Sequence, residues 1–350
     1  MRSQKDQVWY HVDVNSAYLS WTAAYRVCIL GEDLDLRDLP SVIGGSEAER
    51  HGIVLAKSSS AKGYGIRTGE TLAEARCKCP GLVIVPPDYS LYVSCSSALV
   101  ELLKKYFPYV HQYSIDEAFC QVEGTMGLWG THTAFAHQLK EEIRRELGFT
   151  VNIGIAPNKL LAKMASDFRK PDMCHTLFLD EIPEKMWPLP IRELFFVGRS
   201  AQNKLEGIGI HTIGQLAACN VELLKPILGE KYAIQIHDYA CGIDPSPVAE
   251  REPINKGYGN STTLSRDVDD LDTAFTVLLS LCETVGARLR ADHVICDCVC
   301  VEIKDWDFHV QSHQTTLNSP TDSTTVLYEN ACRLLKEFWD RTPLRLIGVR

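Results

Sequence analysis

The sequence predicts an α+β chain of several domains, and three stretches carry that prediction. Residues 8–179 alternate short apolar strands with helices. Residues 181–243 change to short helical pieces, and residues 256–350 follow the β-α-β-β-α-β order of a small independent domain. A length of 350 residues suits two to four compact domains better than one core.

The first strong element, VWYHVDVN, is an apolar stretch that delivers polar residues at its C-terminal end and leads into a helix through AYLSWTAAYRV. Residues 31–90 read as irregular, broken by Gly44-Gly45, Lys62-Gly63-Tyr64-Gly65 and Pro86-Pro87, and predict a small, loosely built lobe. YVHQYSIDEAFCQVEG predicts two short strands meeting at Ile115-Asp116-Glu117. A helix over about 131–147, the strand FTVNIGIA, the helix PNKLLAKMASDF with Pro157 at its start, and a strand near His175 to Leu179 complete a mixed sheet with helices. LFFVGRSAQNKLEGIGIHTIGQLA has the form of a helix-hairpin-helix broken at Gly198 and at Gly207-Ile208-Gly209, and DPSPVAEREPIN reads as a linker. In the last third, the helix from about Asp269 to Ala291 places Leu271, Phe275, Leu278, Cys282, Val285 and Leu289 on one apolar face. Strands at about 293–304 and 307–318 are joined by a turn at Asp305-Trp306-Asp307. A second helix from near Asp322 and the strand LRLIGVR follow.

The composition, 45% hydrophobic and 23% charged, is that of a soluble globular protein. No apolar run reaches the roughly 20 residues that span a bilayer, and the N-terminus lacks a secretory signal, so a cytoplasmic protein without membrane attachment is expected. The 13 cysteines are scattered, and their close pairs are spaced i, i+2 rather than as C-x₂-C knuckles. Cys296, Cys298 and Cys300 would share one strand face as small buried hydrophobes. The net charge of −9 argues against a polyanion partner unless a local positive groove exists.

Asp13, Asp116 and Glu117 stand at the ends of apolar strands, where a carboxylate is costly to bury unless it is paired or bound to metal. Two adjacent acids at one strand junction and a third from another strand can converge on one point, an oxygen-rich site suited to Mg²⁺ and, with two ions, to in-line phosphoryl transfer. The competing possibility is that these are strand-end acids paired with Lys or Arg.

HVDVNSAYLS at 11–20, YSIDEAF at 113–119 and NIGIAPNKLLAKMASDFRKP at 152–171 resemble, in order, the signature segments of Y-family (DinB/UmuC-like) translesion DNA polymerases. LFFVGRSAQNKLEGIGIHTIGQL resembles their thumb hairpin, and GNSTTL, Asp307-Phe308 and the PTD at 320–322 resemble their little-finger domain. The resemblance covers nearly the whole chain. It implies a right-hand polymerase with a palm from 1–30 and 81–180, small fingers at 31–80, a helix-hairpin-helix thumb at 181–243, a linker at 244–255 and a ferredoxin-like little finger at 256–350, cut short at its C-terminal end.

Carried over position by position, the resemblance makes Asp13, Asp116 and Glu117 the catalytic, metal-binding acids, with the Val14 carbonyl as a further ligand of two Mg²⁺ ions, for which Mn²⁺ can substitute. Asn15 stands where many relatives have Asp. Tyr18 matches the steric gate that excludes a ribose 2′-OH, with Ala17 as a small floor under the base; without the resemblance Tyr18 would pass for a core aromatic. Ser59 and Lys62 fall where relatives carry the Tyr and Arg that hold the triphosphate, and Lys170 matches the palm lysine that reaches the same phosphates; either lysine could equally be a solvated surface charge. Val197, Gly198, Arg199, Ser200 and Lys204 are the expected DNA-phosphate contacts of the hairpin, with Phe196 replacing the first Gly of its G-x-G turn and weakening that grip. Arg199 and Lys204 could also be solvated, and Arg288, Arg290, Arg345 and Arg350 are further candidates for backbone contacts.

The implied substrates are primer-template DNA and a dNTP, with low fidelity and bypass of damaged template. A monomer, with a sliding clamp bound through a C-terminal segment beyond residue 350, is also implied. An accessory protein without chemistry would have lost one of the three acids, and a nucleotidyl cyclase would need neither hairpin nor terminal domain.

Overall fold

The computed structural model describes residues 7–46, 50, 52–122, 130–246 and 255–350. In chain order the first part comprises β1 (Val8–Val14), α1 (Ala17–Cys28), β2 (Ser41–Gly44), β3 (Val54–Lys57), α2 (Ser59–Gly63), α3 (Leu72–Lys78), β4 (Val83–Val85), α4 (Tyr89–Lys104), β5 (Tyr109–Gln112), β6 (Glu117–Val122), α5 (His132–Leu147), β7 (Val151–Ala156), α6 (Lys159–Asp167) and β8 (Cys174–Thr176). Then come α7 (Ile182–Lys185), α8 (Arg199–Glu206), α9 (Ile213–Ala218), α10 (Val221–Leu228) and α11 (Glu230–Ala240). The last part is β9 (Asn260–Val268), α12 (Leu271–Ala291), β10 (Cys296–Asp305), β11 (Val310–Thr321), α13 (Thr324–Phe338) and β12 (Leu344–Val349). The chain divides into two compact units: β1 to α11, apart from Leu72 and Ala73, lie in the first and β9 to β12 in the second.

The central sheet of the first unit has the order β5-β6-β1-β7-β8. β1 is its middle strand, antiparallel to both β6 and β7, and is buried on both faces, which accounts for its unbroken apolar run. Alternation along β1 sends Tyr10, Val12 and Val14 into the core shared with Tyr92, Leu103 and Phe135. Trp9, His11 and Asp13 go to the other face, where α6 lies. Gly154 on β7 is the seat of that helix: a Cβ there would stand 2.0 Å from the Ala162 carbonyl oxygen and 2.5 Å from the Ser166 nitrogen. Asn152 fixes the end of α6 by donating to the carbonyls of Ser166 (2.9 Å) and Arg169 (2.7 Å). The helix opens two residues later than Pro157 suggested. Asn158 is its cap, accepting from the Leu161 N–H at 2.8 Å, because an Asn side chain satisfies an open donor that Pro cannot.

The lobe expected to be irregular is a three-stranded sheet, β3-β2-β4. Its strands are only three or four residues long, too short for alternation to register in sequence, and β4 extends it past residue 80. The strand placed at His175 to Leu179 is shorter and earlier, at Cys174–Thr176, with a 3₁₀ turn at Leu179–Glu181.

The hairpin region forms as expected, with α8 and α9 flanking Gly207-Ile208-Gly209, where Gly209 takes φ +84°. Phe196 keeps a left-handed φ of 71° although it is not glycine. The Tyr232 hydroxyl donates to its carbonyl at 2.8 Å and helps hold the turn in that shape. Of the expected linker, residues 247–254 lie outside the described residues.

The second unit has the predicted β-α-β-β-α-β order, with sheet order β11-β10-β12-β9 and LRLIGVR as the strand between β10 and β9. Asp305 closes the β10–β11 turn by accepting from the Asp307 (2.8 Å) and His309 (2.9 Å) N–H groups. All thirteen cysteines are free thiols. Among the described residues no helix is long and apolar enough to cross a membrane.

Candidate active site

A cleft of about 660 Å³ opens beside the end of β1. Asp13, Val14, Ala17, Tyr18, Asp116 and Glu117 line one side, and Lys57, Ser59, Lys62 and Thr68 the fingers side. Topology brings the three acids together. Asp13 and Glu117 are directly opposed across the β1–β6 pair, so their carboxylates share the α6 face of the sheet. Asp116 precedes β6, and its carbonyl accepts from the Val14 N–H at 3.0 Å. The Asp116 carboxylate accepts from the Ser114 hydroxyl at 2.7 Å.

Two carboxylates facing each other across a ladder repel, and the fold answers with cations from α6. Lys163 lies 2.5 Å from Glu117 Oε1, 3.3 Å from Asp13 Oδ2 and 3.5 Å from Asp167 Oδ2. Lys170 lies 2.9 Å from Asp13 Oδ1 and 2.8 Å from Asp167 Oδ1. Burial by itself would raise the Asp13 carboxyl, but Lys170 and Lys163 together hold it below the usual carboxylate range. Burial pushes Glu117 up to about 7; the charge of Asp13 adds to this and Lys163 opposes it. Lys163 is itself held above the ordinary lysine value, because Asp13, Asp167 and Glu117 outweigh the cost of its burial. His11, fully buried and bonded to the Ser166 hydroxyl at 2.8 Å, is pushed well below its ordinary value by burial and by Lys163. It thus stays neutral beside Glu117.

Among the described residues no three His, Cys, Asp or Glu side chains are gathered closely enough to hold a metal by themselves. The donor chemistry nonetheless fits a cation: the Asp13 and Glu117 carboxylates already share a positive charge, the Lys163 ammonium. Divalent cations that prefer oxygen ligands suit the same donors, with Asp116 and the Val14 carbonyl beside them. The sequence-level alternative of acids paired with lysines is therefore realised for Asp13 and Glu117. Asp116 makes no ion pair among the described residues.

Lys163→Met is expected to destabilise the metal-free chain by about 3–5 kcal/mol, since it leaves Glu117 facing Asp13 without its buried counter-charge. Denaturant titration in EDTA measures this, and a loss under about 1 kcal/mol, the range of an exposed pair, contradicts it.

Tyr18 points into the cleft while its ring stacks on Tyr92, with centroids 4.3 Å apart and planes 5° from parallel. Tyr89 meets it edge-on at 6.1 Å. The core-aromatic and cleft-lining descriptions both hold, because the stack fixes a ring whose other face is open. Ala17 is buried in the floor behind it. Asn15, in place of the second acid of a D-x-D pair, donates to Thr150 Oγ1 at 3.1 Å and tethers β1 to the start of β7.

The structure departs from the expected contacts in several places. Lys170, expected to reach phosphate, is tied to Asp13 and Asp167. Val197 cannot offer its N–H to DNA because the Leu194 carbonyl takes it at 3.0 Å. Gly198, Arg199 and Ser200 form the cap and first turn of α8, where N–H groups have no intrahelical acceptor. Lys204 donates to the Ile227 carbonyl at 3.2 Å. In the second unit Arg288 donates to the Gly259 carbonyl and Arg290 to that of Asp322, and Arg345 lies over the Phe308 ring. Lys163 and Lys57 were not among the residues expected in the site. A lysine on the sheet-facing side of α6 was the available signal for Lys163.

The family model described as impB/mucB/samB matches residues 12–167, and that of its C-terminal domain matches residues 255–350. The model of the DNA polymerase-iota thumb domain matches residues 193–244. The chain belongs to the impB/mucB/samB family, the Y family of translesion DNA polymerases. It is 46% identical to the DNA polymerase IV of Clostridium acetobutylicum, over 98% of this chain and 86% of the relative. It is 42% identical to the DNA polymerase IV of Moorella thermoacetica, over 91% of this chain and 80% of the relative. To DNA polymerase IV 1 of Bacillus subtilis strain 168 it is 35% identical, over 99% and 81%. A solved Y-family DNA polymerase chimera of Dbh and Dpo4 shares the fold at a TM-score of 0.83 and 22% identity, over 98% of this chain and 97% of that one. The right-hand architecture with a helical thumb and a terminal little finger follows from these likenesses.

Proposed function

We propose that the cleft around Asp13, Asp116 and Glu117 is the nucleotidyl-transfer centre of this chain. The chain is a template-directed DNA polymerase of low fidelity acting in translesion synthesis, and its family depends on divalent metal. The observation that carries the assignment is that Asp13, Val14, Asp116 and Glu117 line the same cleft as Tyr18 and the fingers lysines.

Asp13, Asp116, Glu117 and the Val14 carbonyl would hold two Mg²⁺ ions, with Mn²⁺ able to substitute. Bound there, the ions would supply charge stabilisation to the attacking and leaving oxygens. The protein residues do the rest by positioning. The carboxylates fix where cation charge sits, and Tyr18 with Ala17 shapes the sugar and base floor. Ser59, Lys62 and Lys170 meet the triphosphate, for which Lys170 must give up Asp13. The α8 start at Gly198, Arg199 and Ser200, with Lys204 beside it, faces DNA phosphates. The reaction joins the primer 3′-OH to the α-phosphate of a dNTP and releases pyrophosphate.

The module bounds proposed from sequence fit this division of labour, with β4 added to the fingers. A monomer working in the cytoplasm and recruited by a sliding clamp completes the proposal. Primer extension on undamaged and abasic templates tests it. Extension that needs Mg²⁺, stops with EDTA and passes the abasic site is expected; a chain inactive on primed DNA with Mg²⁺ or Mn²⁺ would contradict it.

A further inference from the structure

The four lysines that line the cleft fall into two classes. Lys163 and Lys170 are neutralised by Asp13, Glu117 and Asp167. Lys57 and Lys62, on the fingers side, make no ion pair with any carboxylate among the described residues. Lys57, the last residue of β3, donates only to the Thr68 hydroxyl, at 3.1 Å. The acid whose charge reaches it, Glu70, is bonded to Lys78 at 2.5 Å. Two ammonium groups thus line one wall of an open cleft, neither paired with a carboxylate among the described residues.

Resting on the assignment of this cleft to nucleotidyl transfer, we infer that Lys57 and Lys62 together form the cationic grip on the triphosphate tail, with Lys57 a substrate-binding residue. Three observations converge on this. The tail of a nucleotide whose α-phosphate lies at the acids must run along a wall of the same cleft, and the fingers wall offers lysines not already paired. Ser59 is neutral and Lys62 provides one point charge, so a second cation is needed to match a tail of about three to four negative charges. Like charges held near each other at a partly desolvated wall are unfavourable alone and become favourable when an anion arrives. The Lys57 ammonium is accordingly pushed below its ordinary value, first by burial and then by Lys62. Because Lys57 reaches in from a strand and Lys62 from the helix after it, the pair can contact different phosphates of one tail.

Steady-state primer extension with Mg²⁺ on K57M, K57R and K62M tests this, together with fluorescence titration of a non-hydrolysable dNTP onto the enzyme–primer-template complex. K57M is expected to raise the KM for dNTP by about tenfold to a hundredfold, the worth of a charge-assisted hydrogen bond, with kcat changed far less. It should weaken binding of the triphosphate but not of a deoxynucleoside monophosphate. K57R should restore most of the KM, which a merely structural role would not predict. If K57M leaves KM within twofold of the wild type while K62M raises it, Lys57 has no part in the grip and the cleft assignment stands. If neither K57M, K62M nor D116A alters extension, the cleft assignment itself falls.

Discussion

Asp116→Ala is expected to abolish primer extension, lowering the rate by at least roughly 10³-fold, the upper range for removing one preorganised group that stabilises transition-state charge. Asp116 is the most informative of the three acids because the fold needs its side chain least. Asp13 and Glu117 are bound up with Lys163 and Lys170, so removing either takes a counter-charge from a buried lysine and disturbs stability together with chemistry. Among the described residues the Asp116 carboxylate accepts only from Ser114 in the turn before β6, and the tie from this turn to β1 runs through its backbone carbonyl, which alanine keeps. Thermal unfolding and affinity for primer-template should therefore stay close to wild type. Extension above about a tenth of the wild-type rate would remove Asp116 from the centre.

Tyr18→Ala should open the cleft to ribonucleotides. Tyr18 is locked by its stack on Tyr92 and the edge contact of Tyr89, so it cannot swing aside cheaply to admit a 2′-OH. Shape exclusion of one hydroxyl amounts to roughly 10²-fold, and the ratio of kcat/KM for dNTP over rNTP should fall by about that factor. Loss of the ring should leave the deoxynucleotide rate much less affected. Unchanged discrimination, measured with one template and matched nucleotides, would return Tyr18 to being a core aromatic alone.

The two substitutions also mark what sequence can and cannot reveal about this centre. Asp13, Asp116 and Glu117 are legible because a carboxylate at the tip of an apolar strand is costly, and that cost shows in one dimension. Their cross-strand opposition is not legible until the β1–β6 register is known. Lys163 was hidden for a related reason. Lysine usually lies at the surface, and only the packing of α6 on the sheet turns this one inward. Lys57 was missed because β3 belongs to a sheet of three- and four-residue strands, so nothing in the sequence indicated which side chains face the cleft. The terminal domain was readable in its element order, with bounds off by up to about four residues, since its long amphipathic helices and Asp305 turn repeat the same signal over many positions. At Phe196, expected to weaken the hairpin's grip on anions, the backbone adopts the glycine-like angle with a tyrosine hydroxyl bracing it.

The bare Cα of Gly154 sets the height at which α6 rides over the sheet. One methyl group at that spot would act as a shim under the helix. Because Lys163 is carried on α6 and Lys170 just beyond its end, the shim would tilt both ammonium groups away from the acids they balance. Charge balance at the mouth of the cleft is thus calibrated by the thinnest residue on the strand beneath it, so errors at a position with no chemistry of its own would surface as faults in the proposed metal loading.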